Sequence, residues 1–136
     1  MERLGAGAYA PISEDLDQIA ATIVDAGLKV HRALGPGLLE SAYEQCLAYE
    51  LGDRGLSVRR QVPISINYGR LKLDAAYRAD MLVDEKVMIE IKAVETLTPT
   101  HHAQLLTYLK LSDLRLGFLM NFNVPVFKQG VKRVAR

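Results

Sequence analysis

The sequence predicts one α/β domain with the element order α-α-β-β-β-α-β-β. Apolar residues recur at helical spacing over residues 13–51, whereas they alternate as in β-strands over residues 58–91. Thr98-Pro99 then combines a favourable N-cap with proline at the first helical position, which predicts a third helix before the last strands. At 136 residues the chain has the length of a single domain, and it contains no linker or repeat. We expect antiparallel strands at the centre and helices that cover the sheet.

Two helices make up the predicted N-terminal part. Ser13 is a suitable N-cap for the first helix, because Glu14 and Asp15 then lie in the first turn, where the helix dipole favours them. Gly35-Pro36-Gly37 ends this helix, and the second is expected from about residue 38 to residue 51. The apolar positions of the first helix are Leu16, Ile19, Ala20, Ile23, Gly27, Val30 and Leu34. The predicted buried stripe of the second helix is Leu39, Ala42, Tyr43, Cys46 and Leu47.

Two hairpins are predicted in the middle of the chain. Asn67-Tyr68-Gly69-Arg70 is a turn signal between two alternating stretches. Polar residues 84–86 separate two apolar runs and predict the second turn. The third helix should end near Leu111, and residues 114–122 and 124–134 are expected to form the last two strands.

Composition and charge exclude several classes of protein. Hydrophobic residues make up 49% and charged residues 24%, which excludes a disordered or fibrous chain. Seventeen Lys and Arg against sixteen Asp and Glu give a net charge of +1, so no overall field indicates a polyanionic partner. Cys46 is the single cysteine, which excludes a disulfide framework. No apolar run approaches the ~20 residues of a membrane span. Residues 1–12 resemble a flexible leader before a domain of residues 13–136, and we expect a cytoplasmic protein with no membrane partner.

Two acidic residues carry the strongest chemical signal. If residues 84–86 form a three-residue turn, Asp80 lies opposite Glu90, and opposed residues have Cβ atoms about 4.5–5.5 Å apart. Lys92 shares a face with Glu90 and offsets only part of the repulsion between the carboxylates. A Mg²⁺ (or Mn²⁺) ion held by both carboxylates, and by the backbone carbonyl of Ile91, would offset the rest. Lys92 would then hold or help deprotonate a water molecule.

A structural explanation of the same residue types stays open. Acidic residues on adjacent strands are commonly solvated, and Glu90 with Lys92 would then form a simple surface pair. Gln104 and Tyr108 share one face of the third helix, where they either contact the lysine and a phosphate or are ordinary polar groups. Glu40 lies near the start of the second helix, where the helix dipole favours a carboxylate without any catalysis.

Basic residues form two local clusters, which would neutralise the phosphates of a nucleic acid or would be solvated surface charge. The first cluster contains Arg59, Arg60, Arg70 and Lys72, and the second contains Lys128, Lys132, Arg133 and Arg136. No recognition helix or RNA-binding aromatic motif is evident, so the sequence does not predict sequence-specific readout.

Several blocks of the sequence resemble the GxxExxY family. The motif that names the family is found in Leu34-Gly35-Pro36-Gly37-Leu38-Leu39-Glu40-Ser41-Ala42-Tyr43-Glu44. The later blocks are Tyr77-Arg78-Ala79-Asp80, Glu90-Ile91-Lys92-Ala93, His102-Ala103-Gln104-Leu105-Leu106-Thr107-Tyr108-Leu109 and Asn121-Phe122-Asn123-Val124-Pro125. The similarity extends from about Ser13 to the C-terminus, in matching order.

That family is placed in the PD-(D/E)XK nuclease-like superfamily. The resemblance implies a restriction-endonuclease-like core, in which helices flank a central mixed sheet and a hairpin carries an acidic metal site. It implies that Asp80 and Glu90 are metal ligands and that Lys92 is the catalytic lysine. It also implies that Glu40 is a helix carboxylate that reaches the metal through water. Ala79 stands where the superfamily name has proline, a residue that shapes the backbone and supplies no ligand.

The residues and the resemblance together predict a Mg²⁺- (or Mn²⁺-) dependent nuclease that hydrolyses phosphodiester bonds in DNA or another nucleic acid. The resemblance implies that Gln104 and Tyr108 are QxxxY-type residues, and Gln104 is expected to position the lysine or a phosphate. One alternative is a non-catalytic module that binds nucleic acid or protein on the same fold. Another is a metal-dependent enzyme that acts on a nucleotide or other small phosphate. A homodimer or a partner protein would supply the recognition surface that a domain of this size lacks.

Overall fold

The computed structural model describes residues 11–136. Its elements are α1 (Glu14–Leu34), α2 (Glu40–Asp53), β1 (Val58–Tyr68), β2 (Leu71–Val83), β3 (Val87–Lys92), α3 (Pro99–Leu111), β4 (Leu116–Asn121), a 3-10 helix (Phe127–Gly130) and β5 (Val131–Ala135). The expected leader lies outside the described residues, apart from Pro11 and Ile12, and Ile12 packs against the core. None of the helices within residues 11–136 is long and apolar enough to span a bilayer.

The five strands form one mixed sheet in the order β1-β2-β3-β4-β5. The first three strands are antiparallel neighbours joined by tight turns, as predicted. β4 runs parallel to β3, because the chain crosses over through α3 between them, and β5 returns antiparallel to β4. The predicted α/β fold, with a mixed sheet flanked by helices, is therefore confirmed.

Local sequence signals determine where the first helices begin and end. The Ser13 side chain accepts a hydrogen bond from the Leu16 N–H, and Gly35 ends α1 with a φ of 70°. The Tyr43 hydroxyl holds the following turn, because it donates to the Gly35 carbonyl at 2.7 Å and accepts from the Leu38 N–H at 3.0 Å.

The predicted buried stripe of the second helix is wrong at Leu39, which is 78% exposed. The turn keeps the backbone of Leu39 extended, so α2 begins at Glu40 rather than at residue 38. Tyr43 and Leu47 are fully buried as predicted, and the stripe continues to Leu51.

The sheet separates two hydrophobic clusters. Ile89 and Ile91 of β3 belong to the cluster under α1 and α2, whereas Met88 belongs to the smaller cluster under α3. Because side chains alternate along a strand, Glu90 and Lys92 lie on the same side of β3 as Met88 and face α3.

The last predicted strand, residues 124–134, is wrong in its first half. The chain forms the 3-10 helix there, and β5 begins only at Val131. Phe127 is buried against Gly27 of α1, and a Cβ built on Gly27 would lie 2.6 Å from the Phe127 ring. This contact between distant residues draws the segment away from an extended path. The preceding strand is also shorter than expected, from Leu116 to Asn121.

β1 and β2 extend well beyond the rest of the sheet. We call residues 65–78 the hairpin arm; all of them are exposed except Ile66, which is half-buried. The arm has a bulge between Ile64 and Ile66, and its turn contains Gly69 with a φ of 59°.

Candidate metal centre

The second hairpin brings Asp80 and Glu90 together. Val83 pairs with Val87 across the three-residue turn, and the regular register continues to Met81 and Ile89. One step further along each strand are Asp80 and Glu90, which places them opposite each other as the sequence predicts.

Each of the two carboxylates accepts a hydrogen bond from the backbone of the facing strand. The Asp80 N–H donates to Glu90 Oε2 at 3.1 Å, and the Ile91 N–H donates to Asp80 Oδ2 at 2.8 Å. At the end of the hydrogen-bond ladder between β2 and β3, carboxylate oxygens thus accept the hydrogen bonds that backbone carbonyls accept elsewhere. Both carboxylates are held in a defined orientation by main-chain atoms.

The electrostatics of the pair favour a bound proton or cation. Glu90 is only 5% exposed. Burial, and then the neighbouring Asp80 carboxylate, raise the pKa of Glu90 to about 9, and Lys92 offsets part of this shift. A divalent cation in place of the proton would compensate both carboxylate charges.

The donor set fits a hard divalent cation such as Mg²⁺. Each carboxylate oxygen has about two lone-pair sites, so the oxygens of Asp80 and Glu90 that accept one hydrogen bond retain coordination capacity. Within residues 11–136, no three acidic, histidine or cysteine side chains converge into a ready-made cage. Mg²⁺ binds through one or two carboxylates plus waters and phosphate, so this pair is sufficient. Ile91, the predicted carbonyl ligand, lies beside the pair because its N–H binds Asp80.

Lys92 is a half-buried cation beside Glu90. Its charge lowers the pKa of Glu90, in the opposite direction to burial and to Asp80. Among the described residues its ammonium makes no hydrogen bond, and the interaction found for it is this electrostatic attraction to Glu90. The ammonium is thus free to contact a water or a phosphate.

α3 places Tyr108 on the side of the sheet that carries the carboxylate pair, in the same cluster as Met88. Tyr108 is 7% exposed, and its ring centroid lies 5.6 Å from that of Tyr77. Burial, and then Glu90, raise the pKa of Tyr108, so the phenol stays protonated and able to donate. Gln104, one turn earlier, is exposed, and its side chain makes no hydrogen bond with the described residues. Tyr108 is therefore close enough for the charges of the pair to affect its pKa, whereas the structure shows no contact for the Gln104 side chain.

α2 contributes Glu40, the predicted helix carboxylate. Glu40 Oε2 accepts a hydrogen bond from the Ala93 N–H at 3.1 Å, directly after Lys92 in the chain. The start of α2 is thus attached to the end of β3.

Sequence reasoning missed Glu44, a second α2 carboxylate that is only 6% exposed. Its two oxygens accept from Arg60 Nε at 2.9 Å and from Gln61 Nε2 at 3.0 Å. The spacing of four residues from Glu40 was the available signal, because it places both carboxylates on one helical face.

Sequence reasoning also missed Gln61, whose Nε2 lies 3.4 Å from Asp80 Oδ1. No sequence pattern signals this contact, because Gln61 has a φ of 52° while the register of its strand stays regular from Arg60 to Val62.

Many of the predicted phosphate-binding residues are neutralised within the protein. Arg59 pairs with Glu85 at 2.7 Å, Arg60 with Glu44 at 2.9 Å, Lys72 with Asp74 at 3.8 Å, Arg133 with Asp17 at 2.8 Å, and Arg136 with Asp113 at 2.7 Å. Arg70, Lys128 and Lys132 are exposed and make no ion pair with the described residues. These three are the cations of the set that are free to contact phosphates.

The sequence also matches a known family model. The model describes the PD-(D/E)XK nuclease superfamily and matches residues 17–134. The matched range contains the acidic pair, Lys92 and the helix residues that surround them. No curated protein and no solved structure matches the chain.

Proposed function

Because the chain belongs to the PD-(D/E)XK nuclease superfamily, we propose that it is a Mg²⁺- or Mn²⁺-dependent nuclease. In this proposal it hydrolyses phosphodiester bonds in DNA or another nucleic acid and acts in the cytoplasm. The observation that carries the proposal is the pair of opposed carboxylates, Asp80 and Glu90, fixed by backbone N–H groups beside the unpaired ammonium of Lys92.

Asp80 and Glu90, with the Ile91 carbonyl, would hold the cation. When bound, the cation would supply positive charge to the phosphate and favour ionisation of the attacking water. Lys92 orients that water through a hydrogen bond, and its charge favours the deprotonated nucleophile. Glu40 contributes through an intervening water, as its position beside Ala93 allows.

Gln104 and Tyr108 of α3 are proposed to face the bound substrate. Tyr108 donates its phenolic hydrogen toward a phosphate oxygen or toward the carboxylate pair, since its proton is retained at neutral pH. Gln104, one helical turn away, would reach the lysine or a phosphate only once a substrate is bound.

We further propose that the chain belongs to the GxxExxY subfamily. Two roles of the naming motif support this assignment. The buried Tyr43 holds the Gly35 turn, and Glu40 reaches the strand that carries Lys92. The glycine-rich turn and the tyrosine thus determine where the helix carboxylate lies.

The free cations Arg70, Lys128 and Lys132 are proposed to contact the nucleic acid backbone. Four further basic residues would contact phosphates only if each left the carboxylate with which it now pairs: Arg59, Arg60, Lys72 and Arg133. Three free cations would contact only a few phosphates. A homodimer or a partner protein would enlarge this basic surface.

A non-catalytic module that binds nucleic acid or protein is the second candidate. The observation that favours it is that backbone N–H groups already hold both carboxylates, so the pair is stable on this fold without a cation. Such a module would use the same surface without binding a cation.

The discriminating experiment is incubation with single-stranded, duplex and branched DNA, RNA and nucleotides, with Mg²⁺ or Mn²⁺ and with chelator. Lys92→Ala and Glu90→Ala should abolish cation-dependent cleavage and leave the fold intact. Lys110→Ala, which removes an exposed lysine on α3, is the matched control and should cleave like the parent.

Calorimetry with Mn²⁺ separates the candidates when no cleavage is seen. Heat of binding that disappears in Glu90→Ala supports the metal site. No heat of binding and no thermal shift in the parent would favour the binding module. Cleavage of nucleotides alone would point to a small phosphate substrate.

A further inference from the structure

Two consecutive residues of β1 bind the same carboxylate. Arg60 Nε donates to Glu44 Oε2 at 2.9 Å, and Gln61 Nε2 donates to Glu44 Oε1 at 3.0 Å. Neighbouring side chains of a regular strand point to opposite faces of the sheet. The backbone must therefore depart from regular β-geometry between these residues.

The departure is at Gln61 itself, which has a φ of 52° inside the strand. This is the left-handed region, which side chains other than glycine rarely adopt because of steric strain. Arg60 pairs with Met81 and Val62 pairs with Ala79, so Gln61 lies across from Asp80. The strained residue is thus the one that faces a proposed metal ligand.

The Gln61 side chain contacts Asp80 from the side opposite to β3. Gln61 Nε2 lies 3.4 Å from Asp80 Oδ1, while the Ile91 N–H donates to Asp80 Oδ2 at 2.8 Å. Both neighbours of the Gln61 amide are carboxylates, so its NH₂ group rather than its oxygen must face them. Asp80 is therefore held from both neighbouring strands.

We propose that Gln61 is a positioning residue that orients the Asp80 carboxylate for a divalent cation and links it to the buried Glu44 of α2. The inference rests on the proposed function, in which Asp80 binds that cation. Glu44, held by Arg60, fixes one side of the Gln61 amide. The other amide hydrogen then limits rotation of Asp80 before the cation arrives, and groups that orient ligands in this way strengthen metal binding.

Two substitutions separate this role from a structural one. Gln61→Gly removes the amide and relieves the left-handed strain, whereas Gln61→Met removes the amide and retains the strain. Ala75→Gly is the matched control, because Ala75 also has a φ of 52° but lies in the hairpin arm. The measurements are the affinity for Mn²⁺ by calorimetry and the melting temperature in chelator.

Both Gln61 variants should bind Mn²⁺ about tenfold more weakly than the parent. Gln61→Gly should melt roughly 4 °C above Gln61→Met, because it alone is free of strain. Ala75→Gly should bind Mn²⁺ like the parent. For hydrolysis of bis(p-nitrophenyl) phosphate, the Mn²⁺ concentration for half-maximal rate should rise about tenfold in both Gln61 variants. At saturating Mn²⁺ their kcat should approach the parental value.

The outcomes distinguish a failure of the role of Gln61 from a failure of the proposed function. If the parent and both Gln61 variants bind Mn²⁺ equally well, this inference is wrong and the proposed function stands. If the Gln61 variants melt at a lower temperature but bind Mn²⁺ as tightly as the parent, Gln61 has only a structural role and this inference is also wrong. A parent that binds no Mn²⁺ overturns the proposed function, and this inference with it.

Discussion

Glu90 accepts a hydrogen bond from the backbone N–H of Asp80 at 3.1 Å, at the point where the antiparallel ladder between their strands ends. The main chain of one carboxylate residue thereby holds the side chain of the other. Because Glu90 is buried as well, two charged carboxylates would repel each other with little bulk water to screen them, so Glu90 keeps its proton at neutral pH unless a cation replaces it.

In metal-free buffer, the free energy of unfolding should decrease as the pH rises from 5 to 8. The pKa of Glu90 is raised from its ordinary value of 4.5 to about 9. Between these values the folded state binds the proton and the unfolded state does not, so raising the pH favours unfolding. The loss should be at least ~1 kcal/mol over this range, measured by urea denaturation in chelator.

Glu90→Gln is the control for this pH dependence. The variant carries a neutral side chain of the same shape, so its stability should vary less with pH and should exceed that of the parent at pH 8. Saturating Mg²⁺ should also flatten the parental profile, because the cation replaces the proton. A parental stability that rises with pH in chelator would contradict the raised pKa.

Glu40→Ala and Glu44→Ala should have opposite consequences, although both residues lie on one face of α2. Glu44 is buried and accepts from Arg60 and Gln61, so its loss should lower the free energy of unfolding by about 1–3 kcal/mol. Glu40 is exposed, and its loss should change stability by about 0.5 kcal/mol while reducing cation-dependent cleavage. Equal losses of stability in the two variants would refute this division.

Gly130→Ala should destabilise the domain by at least ~2 kcal/mol. A Cβ at this position would lie 2.0 Å from the Asn121 carbonyl oxygen, and the backbone cannot move away easily. Asn121 in turn binds the N–H and carbonyl of Val94, two residues after Lys92, so cation affinity at the candidate metal centre should also fall. Gly52→Ala is the matched control.

A Cβ at Gly52 meets no atom within 4 Å, and the residue lies in the last turn of α2. Alanine should therefore leave stability unchanged or raise it by about 0.5–1 kcal/mol. Thermal and urea denaturation of the two variants test the contrast, and a Gly130→Ala variant as stable as Gly52→Ala would disprove the steric argument.

Salt dependence should distinguish free cations from paired ones. Lys128→Ala and Lys132→Ala each remove an unpaired lysine and should reduce the slope of log K against log salt by about 1. Arg59 is held by Glu85 through two hydrogen bonds, and this pairing raises the pKa of Arg59. Arg59→Ala should therefore leave the slope nearly unchanged, as measured by fluorescence anisotropy of labelled DNA without divalent cations.

The parts of the site that sequence reasoning could predict depend on local signals. A three-residue turn with apolar flanks determines the register of β2 and β3, and the register alone places Asp80 opposite Glu90. Helical spacing similarly placed Tyr108 on a face that turned out to be buried beside the pair. Ser13 and Thr98 cap their helices for equally local reasons.

The parts that could not be predicted depend on distant contacts or on unusual backbone. Gln61 reaches Glu44 and Asp80 only because its φ is positive, and no periodic pattern reports such a residue. The 3-10 helix replaces an expected strand because Phe127 packs against Gly27, about a hundred positions earlier in the chain. Arg59 looked free in the sequence and is occupied by Glu85.

The hairpin arm should unfold locally before the rest of the domain. Neither face of its outer part is covered, whereas β3 lies between two neighbouring strands and two clusters. In deuterium labelling, the arm's amides should exchange through local fraying, while those of Ile89 and Ile91 should require opening of the whole domain. The two strands of the arm can therefore separate from the tip inward, while the carboxylate pair at the base of the arm stays assembled.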